Sequence, residues 1–224
     1  MRTALFLALV ATASPLVAQA PAGRPGSPAP VRVAVKAAHL IDPRGQGRRI
    51  DDAVLLIDGD TVVQVGAKLA VPNGYTVVDL GSATVLPGLI DVHTHLTSQQ
   101  TDYYEGLFRR SAIDVAITAP TNAKRTLDAG FTSVRDVGAP EFVDVALRNA
   151  IQRGDVDGPR MEVATMPLSA TGGHGDLNGF SPYLSSQTLG GPVDGVDAIR
   201  KRVRYDVKYG ADVIKVLAGA GVLS

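Results

Sequence analysis

Three histidines and one lysine are the residues in this chain whose types and surroundings suit chemistry. His93 and His95 close the run Pro87-Gly88-Leu89-Ile90-Asp91-Val92-His93-Thr94-His95. In a β-strand, residues i and i+2 point to the same face, so the two imidazoles converge on one point. Neutral imidazole nitrogens are good ligands for Zn2+ and similar divalent ions. Such a pair can arise by chance, but this one ends an apolar run, and barrel active sites lie at the C-terminal ends of strands. Metal ligation is the expectation. Lys215 lies in the apolar segment Ala211-Asp212-Val213-Ile214-Lys215-Val216-Leu217, where a lysine taken alone usually buries its stem and carries its ammonium to water. His174 lies in Thr171-Gly172-Gly173-His174-Gly175-Asp176. A Gly-rich loop permits close backbone approach to a ligand and equally makes a plain turn, so a structural role stands beside a binding one. The loop lacks the Gly-Lys-Ser/Thr ending of a phosphate loop. His39 has no metal-like spacing and is expected at the surface or in a turn. Arg135 and Asp136 are expected to form a strand-end ion pair, with a supporting role behind the ligands as the alternative. The chain has no cysteine, so thiolate ligands and disulfides are excluded and any metal must be held by His, carboxylate or modified Lys.

Short β segments and then a strand–helix rhythm must position these residues. Val31 to Val35 alternates with period two, and Ala53 to Ile57 and Thr61 to Val65 flank Asp58-Gly59-Asp60, a hairpin signal because Asp-Gly accepts positive φ. Tyr75 to Leu80 is a further strand. After Pro87 the strands expected are Leu89 to His93, Phe131 to Val137, Arg160 to Thr165 and Asp212 to Leu217. Helical patterns run over Ile113 to Ala129, Glu141 to Arg153 and Asp197 to Tyr209, each followed by the glycine expected past a helix end. Strands alternating with helices predict a parallel sheet with crossover helices. A complete (β/α)8 barrel takes about 250 residues and eight strands, so four strands correspond to half of one.

The stretch Thr84-Val85-Leu86-Pro87-Gly88-Leu89-Ile90-Asp91-Val92-His93-Thr94-His95 resembles the first barrel strand of the amidohydrolase superfamily, and Ala129-Gly130-Phe131-Thr132-Ser133-Val134-Arg135-Asp136 resembles its second. The likeness runs from about Val31 to Ser224 and is nearest to the imidazolonepropionase-like and prolidase-like branch. It implies an α/β fold: the N-terminal half of a (β/α)8 TIM barrel over residues 87–224, preceded by a small, incomplete β-sandwich domain over residues 31–86. The resemblance also implies a metal-dependent hydrolase of carbon–nitrogen bonds, acting by metal-activated water on a small-molecule substrate such as a dipeptide or N-acyl amino acid. His93, His95 and Lys215 would then be metal ligands. Lys215 would be carboxylated by CO2 to a carbamate bridging two divalent ions, Zn2+ by default, because an apolar setting keeps the amine neutral and reactive. His174 would bind substrate. Two further histidines and the aspartate acting as general base are expected beyond Ser224, so no catalytic residue is assigned within the chain, and the chain alone is expected to be a truncated, inactive fragment. The alternatives are a cyclic-amide hydrolase or deaminase of the same fold, and a non-catalytic product of an interrupted gene.

Charge and chain ends complete the reading. Lys+Arg and Asp+Glu number 22 each, and aromatic residues make up 5%, so no basic footprint or stacking platform for nucleic acid is present. Arg2, the apolar Ala4 to Ala13 and Ala18-Gln19-Ala20 read as a signal peptide cleaved after Ala20, with export to the periplasm or outside the cell. The apolar run is shorter than the roughly 20 residues that span a bilayer, so no membrane anchor is expected after cleavage. Residues 21–30 form a Pro/Gly-rich linker.

Overall fold

A computed structural model describes residues 31–44, 46–98, 103–184, 191–219 and 221. The signal-peptide and linker readings lie outside these residues. The chain divides into two compact units between Leu86 and Pro87.

The first unit is one mixed sheet. Its strands are β1 (Arg32–Asp42), β2 (Arg48–Asp58), β3 (Thr61–Ala67), β4 (Thr76–Asp79) and β5 (Thr84–Val85). The order is β3-β2-β1-β4, with β5 also on β1. β1 pairs antiparallel with β2 and parallel with β4 and β5. The β2–β3 turn is the Gly59-Asp60 hairpin, with Asp58 opposite Thr61 and Gly59 at φ 62°, a left-handed conformation that glycine adopts freely. Ala34, Val54 and Leu56 pack with Leu69, Val71 and Tyr75, while Leu40, Ile50 and Ala53 pack with Leu55, Val65 and Val85. β1 outruns the period-two segment because Ala37 and Leu40 are buried as well. His39 is therefore a strand residue rather than a turn residue. It stands opposite Asp51, with Nδ1 2.8 Å from Asp51 Oδ1.

The second unit carries the parallel sheet β6-β7-β8, built from β6 (Leu89–Thr94), β7 (Phe131–Asp136) and β8 (Arg160–Val163). The helices are α1 (Tyr103–Arg109), α2 (Ala112–Asp128), α3 (Val143–Arg153) and α4 (Val196–Lys208). Ser111 and Asp114 close a capping box at the start of α2, satisfying backbone donors that the first turn leaves open. α3 ends at Gly154 with φ 77°. Leu96, Ala119, Ala123, Val134, Val143, Leu147, Met161 and Val163 form one buried cluster between helices and sheet. Gly88 is required where it stands, since a Cβ there would lie 2.1 Å from Thr132 Oγ1 on β7.

Two strand expectations are corrected. The third strand stops at Val163, because Thr165 takes φ 61° and turns the chain out of the ladder. The fourth is confined to β10 (Val216–Leu217), which pairs parallel with β9 (Leu168–Ser169) rather than with β8. Side-chain contacts explain the loss. Asp212 Oδ2 accepts the Val163 amide at 3.0 Å and the Arg148 guanidinium at 2.5 Å, while the Asp212 and Val213 amides both converge on the Val163 carbonyl. Regular pairing resumes only where Leu168 donates to the Lys215 carbonyl at 2.9 Å.

Candidate metal centre

The period of β6 brings His93 and His95 to the same end of the sheet, with ring centroids 5.6 Å apart. His93 lies inside the strand and His95 just beyond it. The His93 amide donates to Asp91 Oδ1 at 3.0 Å, and the Thr94 hydroxyl donates to the Arg135 carbonyl at 3.2 Å, pinning the strand end to β7.

His95 is held most closely. Its Nδ1 is 3.1 Å from the Gly138 carbonyl. A carbonyl only accepts, so Nδ1 carries the proton and Nε2 keeps its lone pair for a ligand. Burial pushes the His95 pKa below the ordinary value, and the positive charges of His93, Lys215 and His174 push the same way against the Gly138 hydrogen bond. The ring is thus neutral at neutral pH, the form that ligates. A Cβ on Gly138 would come within 3.1 Å of His95 Cε1, so the glycine makes room for the imidazole.

Lys215 reaches this pair from the segment before β10. Its Nζ lies 3.3 Å from His93 Nε2. The fold therefore brings Lys215, far away in sequence, to the His93/His95 pair. His174 is placed by its own loop: its amide donates to the Gly219 carbonyl at 3.3 Å, and Asn178 Nδ2 donates to the Gly173 carbonyl at 2.8 Å. It is close enough for its charge to be felt at His95.

Two residues support His95 from behind: Asp136, for which the sequence offered this role as the alternative, and Asn122, for which it offered none. Asp136, fully buried at the end of β7, accepts the Leu96 amide at 2.6 Å, and Asn122 of α2 donates to the Leu96 carbonyl at 2.8 Å. Together they grip the backbone one residue past His95. The expected Arg135–Asp136 ion pair does not form. Adjacent strand residues point to opposite faces, so Arg135 goes outward to Glu162 at 3.3 Å while Asp136 goes inward. Burial raises the Asp136 pKa to about 7, with the neighbouring Asp144 charge adding to it against the Leu96 hydrogen bond.

Among the described residues, no group of three His, Cys, Asp or Glu side chains converges as a metal cage. His93 and His95 fit a divalent ion through their ring nitrogens. Lys215 fits it only with its charge removed, since an ammonium would repel the ion.

The chain matches the family model described as "Amidohydrolase family" over residues 84–224. It belongs to the amidohydrolase family. It is 32% identical over 213 residues to an ochratoxinase of Aspergillus niger, an alignment that covers 86% of this chain and 43% of the relative. A dihydroorotase of Geobacter sp. strain M21 is 29% identical over 205 residues, 85% of this chain and 44% of the relative. The fold superposes on the crystal structure of a Xaa-Pro dipeptidase with methionine bound in the active site, with TM-score 0.74 and 31% identity over 86% of this chain and 48% of that one. The chain thus spans less than half the length of these amidohydrolase relatives.

Proposed function

We propose that this amidohydrolase chain carries the first part of the metal site of a hydrolase of carbon–nitrogen bonds, with dipeptides or N-acyl amino acids as its substrates. The observation that carries the reading is the convergence of His93, His95 and Lys215, with Lys215 Nζ 3.3 Å from His93 Nε2. His93 and His95 would hold one of two divalent ions, Zn2+ by default, and Lys215 would bridge the two as a carbamate. Such ions, when bound, lower the pKa of coordinated water and polarise a carbonyl.

The chain's own residues contribute orientation and charge state. Gly138 fixes the His95 tautomer, and burial keeps that ring neutral. Asp136 and Asn122 hold the backbone behind it. The Lys215 amine has to lose its proton before it can add to CO2. Forming the carbamate would use the amine lone pair for the new N–C bond, break one C=O π bond of CO2 and release one N–H proton to water, leaving two oxygens to share a negative charge that divalent ions would offset. His174, on the loop beside this group, is proposed to bind the substrate carbonyl or carboxylate. Remaining ligands and a general base would come from further barrel strands, so turnover is expected of a complete barrel.

The Xaa-Pro dipeptidase and the ochratoxinase support the dipeptide and N-acyl amino acid choice. The dihydroorotase favours a second reading, a cyclic-amide hydrolase. A complete protein containing this chain, stripped by chelation and reloaded with Zn2+, should be assayed against dipeptides, N-acyl amino acids and cyclic amides. Zn2+-dependent cleavage of the first two classes is expected, turnover of cyclic amides alone would select the second reading, and metal-independent cleavage would contradict both. Export with cleavage after Ala20 is also proposed, and N-terminal sequencing of the secreted protein should begin at Pro21.

A further inference from the structure

Lys215 reaches the histidine pair from a stretch of backbone that no sheet holds. Residues 210–215, between the end of α4 and the start of β10, belong to no strand. A lysine side chain is a flexible stem, and the amine at its tip is aimed only if the backbone beneath it is fixed.

Arg148 of α3 supplies that fixation. Its Nη1 donates to the Gly210 carbonyl at 2.8 Å and to Asp212 Oδ2 at 2.5 Å. The same carboxylate oxygen accepts the Val163 amide at 3.0 Å, while the Asp212 amide donates to the Val163 carbonyl at 2.8 Å. The last residue of β8 is thus bonded to Asp212 through both its N–H and its C=O. The guanidinium is itself oriented, since Nε and Nη2 donate to Asn149 Oδ1 at 3.2 Å and 3.1 Å. The Arg148 side chain is only 12% exposed, so water competes weakly for these bonds. Gly210 completes the contact. It stands at φ 107°, and a Cβ there would lie 3.1 Å from Val145 Cγ1 and 3.3 Å from Arg148 Nη2, so glycine lets the chain leaving α4 come this close to α3. Holding Asn149, Gly210 and Asp212 at once takes donors on several nitrogens in one rigid plane, which arginine alone provides.

Three residues beyond Asp212 the segment is fixed a second time. The Lys215 carbonyl accepts the Leu168 amide at 2.9 Å, and the Nζ of the same residue stands 3.3 Å from His93 Nε2. Lys215 therefore hangs between two anchors, one at Asp212 and one at its own carbonyl. We propose that Arg148 is a positioning residue, which through Gly210 and Asp212 fixes the backbone that presents Lys215 to His93 and His95. Its consequence for metal binding rests on the function proposed above, whereas its hold on the backbone does not.

The test uses a complete protein containing this chain, with Arg148→Met made alone and together with Lys215→Ala. Amide hydrogen exchange over residues 211–217 should quicken about tenfold or more in both backgrounds, the scale of losing a hydrogen bond to a charged group, while exchange over α2 stays unchanged. Zn2+ affinity, read by competition with a chromophoric chelator, should weaken about 10–100-fold on Arg148→Met. It should weaken no further when that substitution is added to Lys215→Ala, because the arginine acts on the metal through the lysine. Unchanged exchange over 211–217, or equal acceleration over α2, would overturn the positioning role. So would a loss of Zn2+ affinity of the same size in the Lys215→Ala background, which would mark Arg148 as general support for the fold. If Lys215→Ala alone leaves Zn2+ binding intact, the lysine leaves the proposed metal site, and exchange over 211–217 then decides the positioning role by itself. Should Arg148→Met fail to fold, Arg148→Lys, which keeps the charge and loses the fork, takes its place in the same comparison and is held to the same outcomes.

Discussion

At the residue scale, the centre depends on how tightly His95 is aimed. The Gly138 carbonyl fixes its tautomer, and a Cβ at Gly138 would come within 3.1 Å of the ring. Gly138→Ala is therefore expected to weaken metal binding by about 10–100-fold, the usual scale for disturbing the partner behind a ligating histidine. Competition with a chromophoric chelator would measure it, and an unchanged affinity would show that the ring is oriented by something else. Asp136 acts one step further back. Replacing it with Ala leaves the Leu96 amide buried without an acceptor, at about 1–3 kcal/mol of stability. Urea unfolding of the variant should show that loss, with the metal affinity falling in parallel. The convergence of His93 and His95 was legible from the sequence because H-x-H spacing on a strand has a geometric meaning. Asp136 was legible as a strand-end residue that would either pair with Arg135 or stand behind the ligands, and Asn122 not at all, since nothing in a helical stretch says which side chain will cap a backbone carbonyl 26 residues earlier.

At the element scale, the strand–helix rhythm after Pro87 translated well into β6, β7 and β8 with α2, α3 and α4. Periodicity reports which face is buried, and glycines at 130, 154 and 210 mark helix ends with positive φ. The fourth strand was less legible. Its sequence is apolar enough, but the Asp212 side chain takes the Val163 amide that a ladder would have used, and that competition is tertiary. The short helix α1 was also unanticipated, lacking a sustained apolar period. α3 is seated through Leu147, which is nearly buried in the cluster against Val163 and Met161. Leu147→Ala should cost about 2–5 kcal/mol in urea unfolding. A loss below about 1 kcal/mol would mean that α3 is seated by its polar contacts at Thr165 and Asp212 rather than by its apolar face.

At the scale of the molecule, the buried acids set the pH response. Asp136 and Asp206 have folded pKa values raised to about 7 and about 6, chiefly by burial. Each keeps its proton longer when folded, so each weakens the folded state as pH rises from the ordinary carboxylate range towards neutrality. Asp114 and Asp194 are shifted down, first by side-chain hydrogen bonds from Ser111 and Thr171, and they lose their contribution as pH falls below that range. The two buried acids therefore predict stability that declines as pH rises towards neutrality. Thermal unfolding from pH 3 to 8 should show this, and Asp136→Asn should flatten the alkaline side. The sheet order also leaves β6 at an edge, with Leu89, Ile90 and Val92 exposed by 47%, 69% and 58%. Exposed apolar strand edges invite pairing. In a polypeptide that completes the barrel these residues should become protected, and hydrogen exchange over β6 should slow accordingly.

His93, His95 and Lys215 are proposed to hold metal together. Zinc per polypeptide, measured by elemental mass spectrometry on a complete protein containing this chain, tests it most directly when wild type is compared with His93→Ala/His95→Ala and Lys215→Ala. Two ions in the wild type, with loss from the histidine variant and reduced occupancy after Lys215→Ala, is the predicted result. Unchanged zinc in both variants would contradict it.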